Sequence, residues 1–251
     1  MSERSQKWVV WWGIVFAVIY GLALWLLLDM VPPPSANMSA NAVAHWYQVR
    51  HTKIEIGAAI GSWTGAFMVP FAAVVGIQML RQERGGKIWT ALTLTSGTLM
   101  SIFLAMPPLF WGVAAFTPSR APQITQLMHE LGTLTLTTTD QFYIFMWVAV
   151  TVIALLPTNV KHSPFPRWFG YFTAWTAVMF EAGVFSFLTK TGPFAWNGLL
   201  VFWSPLTLFG LWLAVASYLL LHNLNLQIAE IEGSAVPTAE PSAGLAAAAR
   251  S

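Results

Sequence analysis

Few side chains in this chain could do chemistry, and the most unusual is Glu181, a lone acid in the apolar run Phe180-Glu-Ala-Gly-Val-Phe-Ser-Phe-Leu188. A charged residue at the centre of a membrane costs about 2.5–3.5 kcal/mol on insertion scales, so such a carboxylate must face a bundle interior, lose its charge or find a partner. Its own helix supplies none, because Ala177, Val178, Val184 and Phe185 occupy the neighbouring positions and Lys190 falls half a turn out of phase. Asp140 and Tyr143 open another apolar run after Thr137-Thr138-Thr139, and Ser62 and Thr64 sit at a comparable depth. These residue types predict a polar pocket of Glu181, Asp140 and Tyr143 that takes a cation, a proton or the polar end of an apolar ligand. The plainer alternative has Glu181 donating a hydrogen bond that ties helices together, or lying shallow enough to reach water.

Other chemistries find less support. The histidines at 45, 51, 129, 162 and 222 never fall three or four residues apart, which excludes the histidine boxes of membrane diiron oxidases. None lies well inside an apolar run, where axial haem ligands would stand. His45, His51 and His129 share the outer side with Glu55, Glu130 and Asp140 as donors for a copper or zinc ion; His51 and Glu55, one helical turn apart, give the only supportive spacing, and with His129 they are the leading candidates. With no cysteine, disulfides, thiolate nucleophiles and iron–sulfur clusters are excluded. No Gly-x-Ser-x-Gly elbow and no phosphate-cradling glycine loop occurs, and Gly85-Gly86 reads as a turn. No catalytic residue and no cofactor is assigned.

The elements that must position these residues are membrane helices. Hydrophobic residues make up 56% of the chain and charged ones only 9%, too apolar for an ordinary soluble domain. The pI near 9.0 comes from basic residues in short connectors, where topology explains them better than nucleic acid does. A bilayer core about 30 Å thick needs roughly 20 helical residues. Six runs qualify, at 8–28, 56–80, 88–116, 141–156, 168–188 and 199–221, so the expected class is an all-α integral membrane protein with a six-helix bundle. The third is overlong and should kink or turn re-entrant at Pro107-Pro108. The fourth is short, and residues 134–140 extend it. The basic start with Arg4 and Lys7, followed by an apolar run ending in Pro-Pro-Pro, reads as a retained anchor and not a signal peptide.

Arg4, Lys7, Arg81, Arg84, Lys87, Lys161, Arg167 and Arg250 fall on one side of such a bundle, while Arg50, Lys53, Arg120 and Lys190 fall on the other. The excess places both termini in the cytoplasm of a bacterial inner membrane. On that orientation Glu181 lies in the outer half, about 20 Å along its helix. In the first outer connector, Val43, Trp46, Tyr47 and Arg50 at helical spacing behind Ser39 predict a short interfacial helix. Gly57, Gly61 and Gly65 bare one face of the second span, and Gly97 and Ser101 mirror them on the third, predicting a tight pair. Residues 1–232 then form the transmembrane domain and 233–251, rich in Ala, Pro, Ser and Glu, a disordered cytoplasmic tail.

The strings Phe-Pro-Arg-Trp-Phe-Gly-Tyr-Phe-Thr-Ala-Trp at 165–175 and Lys-Thr-Gly-Pro-Phe-Ala-Trp-Asn-Gly at 190–198 are specific. Together with the opening Met-Ser-Glu-Arg-Ser-Gln-Lys-Trp and Phe-Thr-Pro-Ser-Arg-Ala-Pro at 116–122, they resemble a family of six-span bacterial proteins, mainly actinobacterial and sphingomonad, with no known activity. The resemblance covers most of the chain and implies a six-helix inner-membrane protein. It transfers no catalytic residue, and it implies that Glu181 is a feature of this member alone. The 190–198 string reads physically as a tight outer connector; as a site, Lys190, Trp196 and Asn197 would form the rim of the pocket.

The expected function is a non-catalytic membrane protein that binds a hydrophobic small molecule or serves as an accessory subunit, with a protein partner or a second copy. A small proton- or cation-coupled transporter using Glu181 and Asp140 is the alternative. A membrane oxidoreductase subunit with an outer metal site comes third.

Overall fold

The computed structural model describes residues 2–157 and 159–234. Among them every element is helical and no strand occurs. The chain runs through α1 (Glu3–Leu22), α2 (Ala40–Gln48), α3 (His51–Thr64), α4 (Met68–Leu80), α5 (Ile88–Phe116), α6 (Pro122–Thr138), α7 (Ile144–Leu155), α8 (Arg167–Phe180) and α9 (Ser204–Ser234). Short tightened or widened turns extend several of them: a π turn at Ala23–Leu27 prolongs α1, a 3-10 turn at Gly65–Phe67 joins α3 to α4, and another at Asp140–Phe142 leads from α6 towards α7. Four stretches, Glu3–Leu27, His51–Leu80, Ile88–Phe116 and Leu199–Ser234, are long and apolar enough to cross a membrane, and Ile144–Leu155 is a shorter apolar helix. Trp8, Trp12, Trp25, Trp63 and Trp175 are all exposed, as befits surfaces that meet lipid instead of water.

Three features differ from the sequence expectation. The double proline does not interrupt α5: the helix continues through Pro107 and Pro108 to Phe116, which departs from the re-entrant turn and leaves the expected kink as the compatible alternative. A proline removes the hydrogen bond to the carbonyl four residues back, so Pro108 frees the Leu104 oxygen. The Tyr20 hydroxyl of α1 donates to that oxygen at 2.7 Å, which is how the interior tolerates the break. Second, the expected connector before the fourth span is itself helical, as α6. Third, α9 carries on through Gly233 and Ser234, so those two residues belong to the helix; the rest of the expected tail, 235–251, lies outside the described residues.

Small residues set the closest approaches. A Cβ on Gly65 would stand 2.8 Å from the Ala105 Cα, one on Gly61 3.0 Å from the Pro108 ring, and one on Gly97 2.3 Å from the Ala72 Cβ. α3 and α4 thus lie backbone to backbone against α5, whereas Gly57 meets Leu27 and Leu28 at the end of the first helix instead. Ser101 is buried there with its hydroxyl unpartnered. Behind this pair the core is aromatic: Trp147 and Trp212 are fully buried and meet edge to face at 6.1 Å, and the Trp212 indole donates to Thr173 Oγ1 at 2.9 Å.

The end of the bundle holding residues 2–7 and 223–234, the terminal end, is closed by polar contacts. Gln78 of α4 is 1% exposed and donates to Gln6 Oε1 of α1 at 2.8 Å, while its own oxygen accepts from Gln227 of α9 at 3.1 Å and from Arg81 at 2.8 Å. Lys161 and His162 pair with Glu230, and Arg4 pairs with Glu232. Hydrogen bonding to Lys161 is the chief reason the Glu230 carboxyl is held below its ordinary range. Glu83 closes the N-terminus of α5, its carboxylate accepting from the Trp89 and Thr90 amides at 2.8 and 2.9 Å and from the Thr90 hydroxyl at 2.6 Å. Burial alone would push this carboxyl up, but those bonds, with Lys87 nearby, outweigh it and hold the group below its ordinary range.

Candidate functional site

At the opposite, distal end the helices stand apart. A cavity of about 230 Å³ lies between α1, α5 and α9, walled by Tyr20, Phe67, Met100, Leu104, Phe180 and Phe209. Gly21 of α1 and Gly210 of α9 line it, both are exposed, and a Cβ on either would meet nothing within 4 Å. The cavity therefore opens sideways between α1 and α9, through the surface that the exposed tryptophans mark as apolar. Its polar lining is sparse. The Tyr20 hydroxyl is engaged with Leu104, and the Thr137 hydroxyl donates to the Thr133 carbonyl at 3.0 Å. That leaves the Tyr143 hydroxyl, which has no partner among the described residues although the side chain is only 7% exposed.

Asp140 lies beside this wall, in the 3-10 turn between α6 and α7. It is 2% exposed, and among the described residues no basic or neutral side chain donates to its carboxylate. Glu181 begins a second 3-10 stretch, Glu181–Phe187, that follows α8. The structure brings the two acids near enough for their charges to interact. It buries Asp140, however, and leaves Glu181 exposed on the bundle surface, the reverse of the interior placement expected for Glu181. The threonine run 137–139 offers Asp140 no donor, because each hydroxyl bonds back to a carbonyl of its own helix.

No family model, curated protein or solved structure matches the chain. What the molecule does has to be inferred from its own geometry.

The remaining residues singled out from the sequence are dispersed. Trp196 is buried, donates from its indole nitrogen to the Pro34 carbonyl at 2.7 Å and meets the His129 ring edge to face at 5.6 Å. It caps the distal end and does not line the cavity. Lys190 is exposed and Asn197 half-buried, and neither reaches the cavity wall. His129 sits under Trp46 and Tyr47, its Nδ1 3.0 Å from the Tyr47 hydroxyl and its Nε2 unpartnered. Burial raises the Tyr47 hydroxyl far above its ordinary range. His51 contacts Thr52, and Glu55 lines a shallow groove between α3 and α5. Among the described residues no group of three or more His, Cys, Asp or Glu side chains could hold a metal ion. Around α2, Asp29 pairs with Lys53 at 2.9 Å and with Arg50 at 3.2 Å, and the Arg50 guanidinium lies 5.1 Å from the Trp46 ring centre. Sequence reasoning missed the cavity itself. No spacing in the sequence marks it, since Gly21 and Gly210 have Ala17 and Ala214 four residues away and read as ordinary packing positions.

Proposed function

We propose that the chain is a six-span protein of a bacterial inner membrane that binds an apolar small molecule in the distal cavity, which the ligand enters from the lipid. The single observation that carries this reading is the cavity of about 230 Å³ opening between Gly21 and Gly210. Engineered apolar cavities of about 150 Å³ stay dry and bind benzene, so one of this size suits a ring or a stretch of hydrocarbon chain. The free Tyr143 hydroxyl would meet one polar atom of that molecule, so the ligand class is a hydrocarbon bearing a hydroxyl or carbonyl group. Nothing in the lining calls for bond-breaking chemistry, which supports a binding role over an enzymatic one.

Six spans follow if the bent rod 122–155 and the segment 167–187 cross alongside the four long helices. The Lys and Arg distribution then supports cytoplasmic termini and an outward-facing distal end. Because the chain has no cysteine, single cysteines placed at Ser2 and Ser35 report orientation cleanly. An impermeant maleimide added to intact cells should label position 35 and spare position 2. For the ligand, protein purified in mild detergent and extracted with organic solvent should release one apolar compound in stoichiometric amount by mass spectrometry. Release of nothing beyond bulk phospholipid counts against the reading.

A further inference from the structure

Two helices lose their α-helical winding at one place, and a buried acid sits at the junction. α6 gives way to the 3-10 turn Asp140–Phe142, and α8 to the 3-10 stretch Glu181–Phe187. They touch through bare backbone: a Cβ on Gly183 would stand 1.9 Å from the Thr137 carbonyl oxygen and 3.3 Å from Asp140 Oδ1. Ser186 is tied into the same contact, donating to the Gly183 carbonyl at 2.8 Å and lying 3.4 Å from Thr137 Oγ1. The junction is thus rich in oxygen atoms. It is poor in donors, since among the described residues no basic side chain pairs with Asp140, and the side chain near enough to share a proton with its carboxylate is the Glu181 carboxyl.

A buried carboxylate without a cationic partner is penalised by several kcal/mol, and the carboxyl beside it, that of Glu181, supplies no positive charge. What completes the site must be positive. It must also be small, because the Asp140 oxygens are sealed from the cavity and from the surface. Broken membrane helices recurrently supply unwound carbonyls and an acid to sodium ions or protons, whereas Mg²⁺ and Ca²⁺ demand six or more oxygens and, for Mg²⁺, retained waters.

We propose that the junction of Asp140, Thr137 and Gly183, with Glu181 at its mouth, is a binding site for one monovalent cation, either a sodium ion or a proton. The other titratable groups facing it are Tyr143 on its own segment and, beyond Tyr143, Tyr20 of α1. The site does not depend on the distal cavity being occupied. It gives the two broken helices a shared reason for breaking.

The test uses the full chain in detergent. Thermal unfolding is followed while sodium chloride replaces choline chloride at constant ionic strength, and infrared spectra are recorded across the pH range in which the protein stays folded. A sodium site gives a saturable rise in unfolding temperature that Asp140→Asn abolishes and that Glu232→Gln, on the exposed terminal end, keeps. A proton site gives no sodium effect but a carboxylic-acid stretching band that titrates with bulk pH and is absent in Asp140→Asn. If that variant does not fold, Glu181→Gln, altered at an exposed position, should weaken the sodium dependence or displace the titration. The proposal is overturned if wild-type protein shows neither effect, if the carboxylic-acid band is indifferent to pH without sodium dependence, or if stabilisation requires a divalent ion.

Discussion

The two ends of this bundle treat buried polar groups in opposite ways. At the terminal end Gln6, Gln78, Gln227 and Arg81 satisfy one another, and Glu83 spends both oxygens on the start of α5. At the distal end, among the described residues, no basic or neutral side chain donates to Asp140, while His129 Nε2 and the Trp111 indole are buried without partners, and a cavity separates helices that the terminal end clamps together. The division is not absolute, since the Gln82 carbonyl and the Ser217 hydroxyl are also unpartnered. A saturated network rigidifies, and an unsaturated one is left open to something the chain itself does not provide. On the binding function proposed above, the contrast assigns stability to one half of the helices and binding to the other.

Substitutions can break that contrast or sharpen it. The largest effect is expected from Gly183→Leu, which drives a side chain into the Thr137 carbonyl; overpacking of this kind costs about 1–3 kcal/mol or more, so folded yield after size-exclusion chromatography should collapse. Gln78→Leu comes next. It leaves Gln6 Oε1 without its donor and takes one partner each from Gln227 and Arg81, which keep the His162 and Lys161 carbonyls; a stranded buried group costs about 1–3 kcal/mol, so the unfolding temperature should fall while ligand affinity is untouched. A change in affinity there would dissolve the separation between the ends.

Glu83→Gln should cost about 0.3–2 kcal/mol, the worth of an acid at a helix N-terminus. Its pH dependence has a definite sign. The folded carboxyl titrates below its ordinary range, so its stabilisation is complete above the ordinary carboxylate pKa and is lost as the pH falls through the depressed folded value. Unfolding curves of wild type and Glu83→Gln should therefore converge in acid and separate near neutrality. The smallest effect belongs to Tyr20→Phe, which leaves the Leu104 carbonyl without its donor and should cost about 0.5–1.5 kcal/mol, with a modest gain or loss in affinity as the cavity wall becomes less polar.

How much of this could be read from the sequence follows from which forces have a local signature. Apolar run length is local, so the helical membrane character and the four longest helices were legible. Four-residue glycine spacing is local too, and Gly61 and Gly65 do lie against α5. What α6 does was harder to see, because its threonines and His129 read as polar although most of their hydroxyls are turned onto their own helix. The burial of Asp140 and the exposure of Glu181 depend on how two helices are rotated about their axes, and one residue of rotation exchanges the roles. The Gln6–Gln78–Gln227 cluster joins three distant segments and leaves no trace in any one of them. A cavity is a property of what does not fill space, and no local pattern marks it: Gly21 and Gly210, with Ala17 and Ala214 four residues away, look like packing positions.

The central claim is that the distal cavity holds an apolar molecule admitted from the lipid. Native mass spectrometry of wild type beside Gly210→Trp tests it most directly, because the indole would project into the open space at the entrance without touching the terminal network. Wild-type protein should carry a bound apolar adduct, and the tryptophan variant should lose it while unfolding at an unchanged temperature. An adduct retained in full by a folded Gly210→Trp protein would contradict the account.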